Sequence, residues 1–343
     1  MRRLLNSLYV VSENTYLSLK NENVVINAED GTHKEIPLLG IENIFCFSYK
    51  GASPALIGKC AEKGITMAFF TPTGRFLALP CGRSIGNVLL RKRQYEVSVD
   101  EEKSAEVARW MLLGKIFNHR WMVERTLRDH PDRVNREKLE NASIELKNSY
   151  QKLWDKQPLD SMRGIEGQAA TAYFGAFDEM ILNQKKDFTF TTRNRRPPMD
   201  NVNAMLSFGY SLLASDCAGA LEGVGLDSYM GFLHRIRSGR QSLALDLMEE
   251  LRGVMVDRLV ISMINQKMVT KKDFRRMENG AVLLDEDGRK SFLSQWQKKK
   301  KEEVTHPFLG EKVAWGLVPH TQALLLARYL RGDLDAYPPF FWK

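Results

Sequence analysis

Closely spaced cysteines, long apolar runs, internal repeats and a strong charge of one sign are all missing from this chain of 343 residues. The four cysteines, Cys46, Cys60, Cys81 and Cys217, form no C-x-x-C pair, so neither a zinc knuckle nor a disulfide framework is suggested. Such usage fits a reducing cytoplasm. No apolar run approaches the roughly 20 residues that would span a bilayer. The opening "MRRLLNSLYVV" has a basic start, but Asn6 and Ser7 interrupt it and no small-residue cleavage site follows. We therefore expect a soluble protein with no membrane partner. With 50 Lys plus Arg against 42 Asp plus Glu, the net charge of +8 allows nucleic acid as a partner without demanding it.

What is present falls into two textures. From Leu8 to Pro80 the chain reads in short β-rich pieces such as "LYVVS", "TYLSLKN", "NVVINA" and "IENIFCFS", separated by turn signals, with Asp30-Gly31 placed for a hairpin. One amphipathic segment, "SPALIGKCAEKG", breaks the series as a helix ending at Gly64. After about residue 93 apolar residues repeat at helical spacing in "SAEVARWMLLGKIFNHRWMVERTL", "EKLENASIELKNSYQKLW" and "IEGQAATAYFGAFDEMIL". The expected fold class is α+β: a small N-terminal β-rich domain over residues 1–92, followed by a larger all-α domain over residues 93–343. Two units suit the length, since single cores rarely grow much beyond about 250 residues.

Two charged stretches stand out. "QKKKKEE", residues 297 to 303, reads as a solvated helix face. "KKDFTFTTRNRRPP", from Lys185 to Pro198, is interleaved with Phe188 and Phe190, and Pro197 pushes Arg196 toward an extended conformation. This predicts a loop presenting Arg193, Arg195 and Arg196 outward, where guanidinium groups suit phosphate oxygens; by composition an inter-helix loop that is merely solvated fits equally well.

The segment "GFLHRIRSGRQSLALDLMEELR" gathers a histidine, arginines and three acids. At about 100° per residue, Leu243, Ala244, Leu247, Met248 and Leu251 share one helix face, with Asp246, Glu249 and Glu250 on the other. Spacings of three and four bring β-carbons to about 5 to 6 Å, close enough for carboxylates to share an ion. By geometry alone such acids form the wet side of an ordinary helix. His234 sharpens the alternative, because Gly231 suggests a bend that would hang the imidazole over the first turns. Arg235, Arg237 and Arg240 mark a natural place for a polyanion. One imidazole with carboxylates favours Mg²⁺ or Mn²⁺ over zinc. A separate acid, Glu166, is closely flanked by Gly164 and Gly167, which let the backbone approach another helix or a ligand; the plainer reading is a carboxylate near a helix N-terminus.

Taken together, "RGIEGQAATAYF", "TTRNRRPPMDNVNAMLSFGYSLL", "GLDSYMGFLHRIRSGRQSLALDLMEELR", "LLRKRQY" and "QALLLARYLRGDLDAYPPF" resemble the CRISPR-associated integrase and endonuclease of the spacer-acquisition complex, most closely its subtype I-C forms. The resemblance runs from the β-rich start to the C-terminus. It implies a β domain for dimerisation and DNA contacts, and a helical catalytic domain binding Mn²⁺ or Mg²⁺ through Glu166, His234 and Glu249. Asp246 is then a catalytic residue that binds the ion or holds a ligand, and Glu250 is the neighbouring alternative to Glu249. The implied chemistry is attack by the 3′-hydroxyl of a short captured duplex on a phosphodiester at a CRISPR repeat, with Arg193, Arg195, Arg196, Arg235, Arg237 and Arg240 as DNA contacts. The implied partners are double-stranded DNA, a second copy of the chain and a small CRISPR-associated companion protein. A branched-DNA repair nuclease would share the site, whereas an idle DNA-binding scaffold would have lost one of Glu166, His234 or Glu249.

Overall fold

The computed structural model describes residues 7–12, 14–29, 31, 33–72, 76–80 and 88–343. The β-rich part contains β1 (Ser7–Val10), β2 (Tyr16–Lys20), β3 (Asn23–Asn27), β4 (His33–Pro37), β5 (Asn43–Cys46), α1 (Pro54–Lys63), β6 (Thr66–Phe70) and β7 (Phe76–Ala78). Strands β2, β3 and β4 form an antiparallel sheet, with Tyr16 opposite Asn27 and Asn27 opposite His33. The β3–β4 hairpin is the one expected, with Gly31 at φ 80°. Asp30, Cys81 and the first six residues lie outside the described residues.

The second sheet has the order β1-β5-β6-β7, with β1, β5 and β6 parallel and β7 antiparallel to β6. Parallel neighbours need a crossover, and α1 supplies it between β5 and β6. Ser53 Oγ caps its start by accepting from Leu56 N at 3.2 Å, and Gly64 ends it at φ 69°. Alternation along β5 separates two cores. Ile44 and Cys46 pack with Leu17, Val24, Leu56 and Met67 between the sheets, while Phe45 and Phe47 face the helices, Phe47 lying 5.8 Å from the Phe208 ring.

The remainder consists of α2 (Val88–Val99), α3 (Glu101–Asp129), α4 (Arg136–Lys152), α5 (Leu159–Ala176), α6 (Asn201–Gly223), α7 (Ser242–Glu249), a π-helical turn at Arg252–Asp257, α8 (Arg258–Asn265), β8 (Phe274–Arg276), β9 (Val282–Leu284), α9 (Glu286–Lys301), β10 (Glu303–Thr305), β11 (Lys312–Ala314) and α10 (Val318–Arg331). This part is helical but not all-α, because β8–β9 and β10–β11 are antiparallel hairpins between helices. Strands of three residues are too short to show a period of two in sequence.

Helix α6 runs through the centre of the core. Its length and apolar composition would suffice to cross a membrane, yet its apolar side chains pack inside the protein. Gly209 is required there, since a Cβ would meet Val256 Cγ1 at 2.6 Å. The lysine run on α9 is only partly solvated, contrary to the expectation. Lys300 is buried against Asp216, with Nζ 3.0 and 2.9 Å from the two carboxylate oxygens, and Lys299 lies over the Trp315 ring. Burial raises the Asp216 pKa although Lys300 opposes it.

Candidate metal centre and nucleic-acid face

Helix α7 buries its apolar face as expected, but its acids are not wet. Asp246, Glu249 and Glu250 are all buried, because the 228–234 loop, helices α3 and α5, and the C-terminal tail wrap the side opposite the apolar stripe. Each acid meets a different set of donors.

Asp246 organises the loop. Its Oδ2 accepts from Phe232 N at 2.6 Å and Leu233 N at 3.0 Å, and its Oδ1 accepts from His234 N at 3.0 Å. Gly231 permits this approach, since a Cβ there would lie 2.8 Å from Asp246 Oδ2. His234 Nδ1 also lies 2.5 Å from Asp246 Oδ1. A carboxylate only accepts, so Nδ1 carries the proton. The other ring nitrogen, Nε2, faces Glu249, whose Oε1 is 3.6 Å away.

Glu249 sits among cations. Arg252 Nη2 is 2.8 Å from Oε1, and Lys115 Nζ is 2.9 Å from Oε2. The same ammonium donates to Glu166 Oε1, so Lys115 bridges the two acids that the sequence places 83 positions apart. Burial acts to raise the Glu249 pKa, but Arg252, Lys115 and His234 outweigh it and hold the carboxyl below the ordinary carboxylate range. Glu166 stands in the body of α5 rather than at its N-terminus. A Cβ at Gly164 or Gly167 would meet nothing within 4 Å, so these glycines serve no close helix contact.

Glu250 belongs elsewhere. Its Oε1 accepts from Gln322 Nε2 at 2.9 Å and from the Tyr337 hydroxyl, and its Oε2 accepts from Phe340 N at 2.7 Å. Burial pushes this carboxyl up to about 7, against the lowering effect of those bonds.

The donor set suits a hard divalent ion: two carboxylates and an imidazole whose Nε2 is free. Glu249 Oε2 is buried, and its partner is the Lys115 ammonium at 2.9 Å. Among the described residues, however, no three His, Cys, Asp or Glu side chains converge closely enough to hold an ion as they stand. The Lys115 ammonium stands between Glu166 and Glu249.

Around this centre Arg195, Arg196, Arg235 and Arg237 are exposed and Arg240 is half-buried. Burial and the like charges of Arg237, Arg196 and Arg195 lower the Arg240 pKa, with Asp246 opposing them. Arg193 does not join them. Phe188 and Phe190 are drawn into the core, and Arg193 follows, donating to Asn203 Oδ1 at 2.7 Å and Ser207 Oγ at 3.1 Å beneath a cation–π contact with Tyr210. The expected outward loop begins only at Arg195.

The model of the CRISPR associated protein Cas1 family matches residues 8–298. The chain belongs to the Cas1 family. It is 46% identical over 343 residues to a CRISPR-associated endonuclease Cas1 of Chlorobaculum tepidum, and 47% identical over 347 residues to one of Rhodospirillum rubrum, with full coverage of both partners in each case. Its fold is also that of a casposase bound to integration product, with TM-score 0.85, 23% identity, and coverage of 98% of this chain and 93% of the other.

Three residues at the centre of this Cas1-family chain, and one that braces it, were not anticipated from sequence. Lys115 and His119 interrupt the buried stripe of α3 at helical spacing, between Leu112 and Met122, and charged or polar residues in a core stripe are the signal that would have marked them. Arg252 follows Glu249 by three residues, at the head of the apolar run 253–256. Arg163, from α5, donates to Leu233 O at 2.7 Å and ties the His234 loop to the helix that carries Glu166.

Proposed function

We propose that this Cas1-family chain is a metal-dependent DNA endonuclease and integrase that inserts short captured DNA fragments into a CRISPR array, with Glu166, His234 and Glu249 holding Mg²⁺ or Mn²⁺. Whole-length relatives named CRISPR-associated endonuclease support the enzyme reading. The observation that carries the site is that one buried cation already bridges Glu166 and Glu249, with the free His234 Nε2 3.6 Å from Glu249.

In the integration reaction the 3′-hydroxyl of a captured duplex forms a new bond to phosphorus at the edge of a repeat, and the repeat strand leaves as a 3′-hydroxyl. With water as nucleophile the same site cleaves DNA. The chemistry a bound divalent ion supplies is a lowered pKa for the nucleophile and compensation of charge on the attacked phosphate. The protein does the positioning. Asp246 holds the His234 ring in the Nδ1–H tautomer. Arg252 keeps Glu249 ionised and fixed at one oxygen. Arg195, Arg196, Arg235, Arg237 and Arg240 grip phosphates on either side.

We further assign the chain to the subtype I-C branch, on the long motifs quoted above, and place its action in the cytoplasm with the array. The assembly is a homodimer, joined through residues 1–92 and bridged by a small CRISPR-associated companion protein, on double-stranded DNA. Glu166→Ala and His234→Ala, each checked for native circular dichroism, should abolish Mn²⁺-dependent cleavage and strand joining. Full activity in either variant overturns the site.

A further inference from the structure

We infer that Lys115 is the resident cation of this centre: in the metal-free protein its ammonium neutralises Glu166 and Glu249, and a divalent ion enters by displacing it. The inference rests on Glu166 and Glu249 being the ligands proposed above.

A buried ammonium is costly unless it is paired and hydrogen-bonded. Lys115 is buried on the core side of α3, and the partners found for it are these two carboxylates, Glu166 Oε1 and Glu249 Oε2. Two acids brought this close would otherwise repel, so the lysine lets the ligand set assemble before any ion is present. The other members of the set do not depend on it. His234 is anchored by Asp246, and Glu249 Oε1 is held separately by Arg252 at 2.8 Å.

The ammonium and the ion cannot share the position. Oxygens around Mg²⁺ lie at about 2.1 Å, closer than the 2.9 Å from Lys115 Nζ to Glu249 Oε2. Metal binding therefore requires the Glu249 carboxylate to draw inward and the positive charge between the two acids to leave. Lysine suits the exchange, since a flexible four-carbon stem carries its charge, whereas a planar guanidinium would be locked in a fork. The way out is on the Glu166 side, the more exposed of its two partners at 29% against 4% of the side chain. Lys115 is thus a positioning residue that sets how tightly, and with what displacement, the ion is held.

The test measures Mn²⁺ binding by the electron paramagnetic resonance of free Mn²⁺, using the full chain at fixed pH and ionic strength. Lys115→Met should bind Mn²⁺ at least about tenfold more tightly than the wild type, because it no longer loses an ion pair on loading. Its melting temperature without metal should be lower, and should rise further on adding Mn²⁺. Lys115→Arg, which keeps the charge, should not bind more tightly. A Lys115→Met affinity equal to or below that of the wild type overturns the inference. Glu166→Ala is measured alongside: if it binds Mn²⁺ as the wild type does, the ligand assignment itself fails and the inference falls with it. Should Lys115→Met not fold, the wild type still decides. Lysine acylation read by mass spectrometry should find Lys115 protected without metal and reactive with saturating Mn²⁺, and unchanged protection overturns the exchange.

Discussion

Glu249 and Glu250 are neighbours in sequence whose carboxylates meet separate sets of partners at the end of α7. Glu249 faces Lys115, Arg252 and His234, whereas Glu250 receives Tyr337, Gln322 and Phe340 from the C-terminal part of the chain. Substituting each by glutamine should therefore have different effects. Glu249→Gln should lose Mn²⁺ binding and cleavage. Glu250→Gln should keep both while losing roughly 1–3 kcal/mol of stability, because its amide cannot accept at every position the carboxylate fills. Mn²⁺ titration beside urea unfolding separates the two effects.

The Glu250 carboxylate also sets a pH dependence. Its pKa in the fold, about 7, stands above its ordinary value of 4.5, so the native state binds more protons than the unfolded state between those limits. Its contribution to stability is fully present below about pH 4.5 and is lost as pH rises through 7. Asp257, raised to about 6 by burial despite hydrogen bonds from Tyr210 and Tyr173, acts in the same direction. Urea midpoints of the wild type should fall across this range, and Glu250→Gln should flatten the fall without removing the part due to Asp257.

Asp246 accepts three backbone N–H groups and the His234 ring, so Asp246→Asn places an amide among donors. Both the loop and the imidazole should lose their orientation. Mn²⁺ affinity should drop by about 10- to 100-fold, the usual range for removing a partner that orients a metal-binding histidine. Isothermal calorimetry measures that drop directly.

Arg193 and its sequence neighbours should part company. Arg195→Ala and Arg196→Ala should weaken duplex binding and reduce the slope of log affinity against log salt by about 0.9 for each phosphate no longer neutralised. Arg193→Ala should instead lower the melting temperature, since it opens hydrogen bonds to Asn203 and Ser207 beneath Tyr210. Fluorescence anisotropy over a salt series, with thermal melts, distinguishes them.

Much of the architecture was written in local pattern. Alternation marked the strands of the β-rich part, Ser53 and Gly64 bounded α1, and helical spacing marked α3, α4 and α5. The short hairpins β8–β9 and β10–β11 escaped because three residues do not establish a period. At the site, motif resemblance named Glu166, His234 and Glu249 as ligands, but it left Asp246 between binding the ion and holding a ligand, and Glu250 as the alternative to Glu249. Helical projection made Asp246, Glu249 and Glu250 a solvated face, and "QKKKKEE" likewise, because a projection shows which residues share a side and not what packs on it.

The sequence alone determined the helices and longer strands, the family, and a short set of acids, one histidine and the arginines around them, since these depend on residue type and near-neighbour spacing. Tertiary structure decided which partners each acid meets. Elements distant in the chain bring Lys115 between Glu166 and Glu249, the loop N–H groups onto Asp246, and Tyr337 and Phe340 onto Glu250. A buried carboxylate takes its role from the donors and cations that surround it, and those arrive only when the chain has folded.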